Sequence, residues 1–172
     1  MRTQETNRAK VMGKVASRSC IRIIKSLNKD IEWAEEKLAK AIEGEPEWQE
    51  RKELLESIPD VGNALIRTLL SEMPELGTLN HKQISALAGL APINRDSGKS
   101  QGKRRILGGT NNVMTTLYMA TLSATQCNSV IGSFYKHLVK QGKHKKVALT
   151  AAMRRFLTII NAMIRNGQEW AY

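Results

Sequence analysis

A chain of 172 residues has room for one domain plus a helical arm and no more. Its 27 Lys and Arg against 16 Asp and Glu leave a net charge of +11 and a pI of about 9.9, the balance of a protein that works on a polyanion. Cys20 and Cys127 lie too far apart for a disulfide framework or, with only three histidines, a zinc site, and neither a cleavable leader nor a run of about eighteen apolar residues appears; a cytoplasmic protein without membrane contact, its two thiols reduced and partly buried, is expected.

The charge is unevenly placed. Residues 1–29 carry eight Lys and Arg against Glu5, whereas residues 30–56 carry four against ten acids. Through this stretch Cys20, Ile24, Leu27, Ile31, Ala34, Leu38 and Ala41 recur at alternating four- and three-residue steps, the a/d seam of three heptads. A long helix that needs a partner helix is therefore predicted, ended by Gly44 and Pro46. Ile21, Ile23 and Ile42 fall off the seam and widen the apolar face toward bundle packing. Residues 1–46 read as a coiled-coil arm and residues 47–172 as a compact helical domain, an all-α fold throughout.

In that domain a helix runs through Leu54 and Leu55 to Ser57, IPDVG at 58–62 turns, and a second helix carries Ala64, Leu65, Leu69 and Leu70. Helix, short glycine-bearing turn, helix is the outline of a helix-hairpin-helix, whose turn amides hold a phosphate without reading bases. Gly62 is thus a candidate DNA contact. Asp60, acidic where many such turns have glycine, argues instead for a purely structural corner. A Pro/Gly loop at 74–80 and a short helix from Lys82 to Ala88 come next.

GLAPINRDSGKSQGKRRILGG, from Gly89 to Gly109, is a glycine-rich basic loop holding two serines. A serine hydroxyl that attacks phosphorus needs an activating base or metal, and cations to take up charge developing on the phosphoryl oxygens. Ser97 is the first candidate nucleophile and Ser100 the second. Lys99, Lys103, Arg104 and Arg105 supply the cations, and Gly98, Gly102, Gly108 and Gly109 let backbone amides approach a phosphate. No base is evident. On spacing alone the same residues also describe a solvated linker.

Three helices complete the chain. Val113, Leu117, Ala120 and Ala124 mark one, and Ile131–Lys140 and Val147–Ile164 are the others, separated by QGKHKK at 141–146. Lys143, Lys145 and Lys146 are candidate phosphate contacts, with Lys140, Arg154 and Arg155 close in sequence. His144 is the one histidine in a basic setting. Tyr118, Phe134, Tyr135 and Phe156 read as core residues rather than base-stacking platforms. Residues 95–172 hold thirteen Lys and Arg against Asp96 and Glu169. The serine loop and the helices after it therefore form the polyanion-facing part, with an affinity that should fall steeply as salt rises.

The segments LLESIPDVGNALIRTLLSEMPELG at 54–77, AGLAPINRDSGKSQGKRRILGG at 88–109, LYMATL at 117–122 and FYKHLVKQGKHKKVALTAAMRRFLTIINAMI at 134–164 together resemble the C-terminal domain of IS110/IS116/IS902-type transposases. The resemblance implies that the serine of an SG motif, here Ser97, attacks DNA, and that DNA and a structured guide RNA are partners. It also implies an N-terminal RuvC-like nuclease domain whose acidic residues bind a divalent metal (Mg), joined to the serine domain by a coiled coil that assembles oligomers. No such domain precedes residue 50 here. The chain is accordingly expected to be the C-terminal part of a bacterial, nucleoid-associated transposase, with no metal of its own, able to bind nucleic acid but not to recombine it alone. Relatives place an arginine where this chain has Met114, and its loss would remove a cation facing the serine loop. The alternative is a non-catalytic helix-hairpin-helix DNA-binding or regulatory module that oligomerises through its coiled coil; which of the two applies decides whether the chain is part of an enzyme.

Overall fold

The structure, a computed structural model, describes residues 1–59, 61–94, 105–106 and 108–171, without the side chains of Lys14, Val15, Ile42, Glu43 and Arg105. Eight helices and one two-stranded ladder make up the regular structure of the described residues, so the all-α expectation holds. The chain divides into two compact units, Met1–Pro46 and Glu47–Tyr172.

In the first unit the long helix is present as α2, Lys14–Gly44. It is not the first element, because α1 (Arg2–Val11) precedes it and packs against it across a break at Met12 and Gly13. α1 gives the start of the heptad seam its partner. Cys20 is buried, Ile24 and Leu27 are half-buried, and beyond them Ile31, Ala34 and Ala41 are exposed, with Leu38 half-buried. Burial pushes the Cys20 thiol pKa above its ordinary value, and Glu5, held by Arg8 at 3.2 Å, adds to the rise. Cys127 differs from the expectation of two partly buried thiols: it ends its helix exposed.

The second unit begins with α3 (Pro46–Glu56) and α4 (Asn63–Glu72), joined by a tight corner. Ile58, 2% exposed, fills that corner from inside, and Gly62 starts α4 by accepting hydrogen bonds from the Leu65 and Ile66 amides. After the turn at 74–80 comes α5 (His81–Leu87), opened by a capping box in which Asn80 Oδ1 accepts from the Lys82 and Gln83 amides and Gln83 Oε1 accepts from the Asn80 amide. α6 (Asn111–Cys127), α7 (Ser129–Lys140) and α8 (Lys145–Asn166) pack mutually, α4 lies on α6, and α5 lies on α8.

The core sits among these helices. Leu55, Leu69, Ile84, Leu117, Ile131, Phe156, Leu157 and Ile160 are all fully buried. Asn128 turns the corner from α6 into α7 by accepting from the Val130 and Ile131 amides, and Gly132 is required there because a Cβ would meet the Thr125 carbonyl oxygen at 2.9 Å. Asn161 is the main polar group inside. Its Oδ1 accepts from the Gly77 amide and its Nδ2 donates to the Leu79 carbonyl, both at 2.8 Å, while Arg165 Nε donates to the Gly77 carbonyl. The Pro/Gly loop is thereby pinned on α8, with both the oxygen and the nitrogen of the Asn161 amide engaged. At the far end Trp170 closes edge-on against Phe156, and its amide donates to Ser57 Oγ.

Length and composition alone would let α8 cross a bilayer, a point that counting unbroken apolar runs passes over. Half of its most apolar stretch is buried inside the fold, as the central helix of a helical core should be.

Candidate functional site

The described stretches on either side of the serines pair with each other as the two arms of a hairpin. β1 (Pro92–Ile93) pairs antiparallel with β2 (Arg105–Ile106), Pro92 opposite Ile106 and Ile93 opposite Arg105. No strand was expected here, since two residues a side are too few to show a period in sequence. Ser97, Ser100, Lys99, Lys103, Arg104, Gly98 and Gly102 lie outside the described residues, as does Asp60; of Arg105 the backbone pairing is described and the side chain is not.

Below the ladder the two arms of the hairpin touch backbone to backbone. Gly89 has φ +70°, Gly108 +88° and Gly109 +83°, a region that residues with a side chain rarely enter. A Cβ on Gly89 would stand 2.0 Å from the Gly108 carbonyl oxygen, and one on Gly109 would stand 2.5 Å from the Ala88 carbonyl carbon. These contacts form a neck that only glycine permits. Sequence reasoning used Gly108 and Gly109 for phosphate approach and gave Gly89 no role; the signal it passed over was glycine at both ends of one loop.

The neck is anchored on both sides. Upstream, the Gly89 amide donates to the Ala86 carbonyl and the Leu90 amide to the Ser85 carbonyl, and Leu90 is buried. Downstream, α6 begins at Asn111, and Asn112 Nδ2 donates to Glu72 Oε1 at 2.9 Å, tying the helix to the end of α4. Glu72 Oε2 is buried without a hydrogen-bond partner among the described residues.

The other predicted contacts lie at the turn between α7 and α8. Gly142, at φ +80°, makes the turn, Lys143 is in it, and Lys145 and Lys146 stand in the first turn of α8 rather than before it. All three lysines are exposed. Residues 111–168 contain eight Lys and Arg and no acid. Among the described residues none of the eight is in an ion pair, and the ion pairs present lie between Glu5 and Glu56. Cations with no acid among them present an uncompensated positive field.

Residues 52–136, from α3 through most of α7 and including the hairpin, match the family described as Transposase IS116/IS110/IS902. The chain belongs to this transposase family. It is also similar to the pilin gene-inverting proteins of Moraxella bovis and Moraxella lacunata, each 31% identical over 129 residues that cover 73% of this chain and 40% of the relative. The chain thus spans well under half the length of the curated relatives it matches.

The remaining predicted residues sort by environment. Met114, where relatives were expected to carry arginine, is half-buried in the first turns of α6, its amide donating to the Thr110 carbonyl. Phe156 is core as expected, but Tyr118 is 44% exposed and not a core residue: α6 is packed through Val113, Leu117, Thr121 and Ala124, and position 118 falls outside that face. Phe134 and Tyr135 are half-buried. Phe134 carries the Arg155 guanidinium 4.8 Å from its ring centre, within cation–π range. Gly62 has ordinary backbone, φ −81°, with open space where a Cβ would stand, so the fold does not require glycine there. His144 precedes α8, exposed and making no side-chain cap.

Proposed function

We propose that this chain carries the serine-bearing, nucleic-acid-binding part of an IS110-type recombinase. Ser97 Oγ bonds to phosphorus of a DNA strand, the bond from phosphorus to the deoxyribose oxygen breaks, and that oxygen leaves with a proton, giving a phosphoserine link that a second strand end later displaces. Lys99, Lys103, Arg104 and Arg105 take up charge on the phosphoryl oxygens, with Ser100 the second candidate for the attack. Lys143, Lys145 and Lys146, and the corner at Gly62 read as a helix-hairpin-helix turn, hold flanking phosphates. A structured guide RNA shares this basic face, and the unfilled part of the α2 seam assembles further copies into oligomers.

The observation that carries the reading is the glycine neck. A loop in a basic domain needs no backbone-to-backbone clamp to stay soluble; a nucleophile that must meet a phosphorus atom does need its two chain ends fixed. The relatives named for inverting a gene support strand exchange as the reaction. In this reading the divalent metal that activates the serine belongs to the acidic nuclease domain that the family resemblance implies.

The test is to mix this chain with labelled DNA and a full-length family recombinase whose own nucleophilic serine is changed to Ala. A DNA-linked form of this chain, its adduct mapped to Ser97 by mass spectrometry and lost in Ser97→Ala, is expected. An adduct that persists in Ser97→Ala, or none on either protein, overturns the assignment. A regulatory, non-catalytic module has one observation in its favour, Met114, and would bind DNA unchanged by Ser97→Ala.

A further inference from the structure

A cavity of about 930 Å³ opens beside the neck of the hairpin. Its walls are Leu90 and Pro92 from one arm, Ile106 from the other, and Val147, Ala151 and Ile159 from α8. Apolar side chains at the mouth are left in water: Val147 is 57% exposed and Ile106 37%. Yet the wall is not purely apolar. Arg154 and Arg155 stand in it, the second with its guanidinium on the Phe134 ring, together with the hydroxyls of Thr150 and Thr158. Those hydroxyls donate to the Lys146 and Arg154 carbonyls, which leaves their oxygens free to accept.

We infer that this cavity takes the base of an unpaired nucleotide, while the phosphates on either side of that base rest on Lys145, Lys146 and Arg154. The inference deepens the nucleic-acid reading of the same face and rests on it. A nucleotide alone combines what the wall offers: two flat apolar faces for the aliphatic walls, edge donors and acceptors for the arginines and threonines, and an anion for the lysines at the head of α8. An apolar side chain of a protein partner would leave Arg154 without the counter-charge that a neighbouring phosphate supplies. The volume lies at the upper end of the range for small-molecule sites, enough for one base with its sugar. Its position between the hairpin arms and α8 would hold an extruded base beside the strand that the hairpin reaches.

The experiment compares binding of the whole chain to three duplexes: fully paired, with a single-nucleotide bulge, and with the same bulge lacking its base. DNA and RNA versions separate the two sources of an unpaired base. The bulged duplex is expected to bind about tenfold more tightly than the abasic one, with Ala151→Phe, which puts a ring into the cavity where the base would lie, abolishing that preference while leaving affinity for paired duplex unchanged. A 2-aminopurine at the bulge, whose emission should change on binding the unaltered protein, tests the same point should Ala151→Phe fail to fold. Equal binding of bulged and abasic duplexes overturns the inference and leaves the nucleic-acid reading standing; failure to bind any of the three overturns both. If Ala151→Phe instead alters the sedimentation of the protein alone, the cavity is a protein interface and the inference falls.

Discussion

At the scale of single residues, the structure separates glycines that are required from those that are merely present. Gly89 and Gly109 combine a positive φ with backbone atoms standing where a Cβ would go, whereas Gly62 has neither. Gly89→Ala should therefore cost about 2 kcal/mol or more in urea unfolding, and Gly62→Ala should stay within about 0.5 kcal/mol of the parent. Equal costs would mean that the neck is not a close backbone contact. The thiols are separated in the same way. Cys127, exposed at the end of α6, should react with a maleimide or aromatic disulfide at once, while Cys20, buried and with its pKa raised, should react only on unfolding. With a raised folded pKa the Cys20 proton is held more tightly in the folded chain, so its contribution to stability is present below the unfolded value of 9.0 and is lost as pH rises above it.

Individual elements show which sequence signals carry far and which do not. The helices α2, α4 and α6 to α8 were all legible from apolar positions recurring at helical spacing, and their ends fell within a few residues of Gly, Asn and Pro signals. α1 was not, because RTQETNRAKV buries no side chain fully and offers no apolar stripe to read. The hairpin ladder was not legible either, since it is made by backbone pairing and glycine contacts that leave no hydrophobic period. Tyr118 was misjudged because an aromatic residue in an apolar helix is assigned to the core by default, and here the helix rotates it outward. The pinning of the 74–80 loop on α8 depends on one buried amide that the sequence does not mark. Asn161→Ala should cost about 1–3 kcal/mol by leaving the Gly77 amide and Leu79 carbonyl without that partner, measured by thermal or urea unfolding; a loss near zero would mean that Arg165 alone holds the loop.

Over the whole molecule the charge division read from the sequence persists in the fold. Among the described residues, ion pairs are found between Glu5 and Glu56, where acids and bases alternate, and the stretch 111–168 supplies cations but no acid. Family membership was legible from the order of the motifs, and residues 52–136 bear it out. The candidate site was legible as residue types only: the sequence located Ser97 in a glycine-rich loop, but the clamp arises from Gly89 meeting Gly108 and Gly109, and the cavity from Leu90, Pro92 and Ile106 lining it together with α8, residues far apart in the chain. If the basic half is the nucleic-acid face, changing Lys143, Lys145 and Lys146 together to Ala should lower the slope of log affinity against log salt by about 2 to 3, with little effect on unfolding because all three are exposed.

The most direct measurement of the central claim is binding of the purified chain to labelled duplex DNA and to structured RNA over a salt series, beside a variant with Lys103, Arg104 and Arg105 all changed to Ala. Tight binding that weakens steeply with salt in the parent and is lost in the variant is the expected result, and it puts the phosphate contacts on the hairpin that bears Ser97. Binding that the triple change leaves untouched would move the nucleic-acid face elsewhere and contradict the role given to that serine.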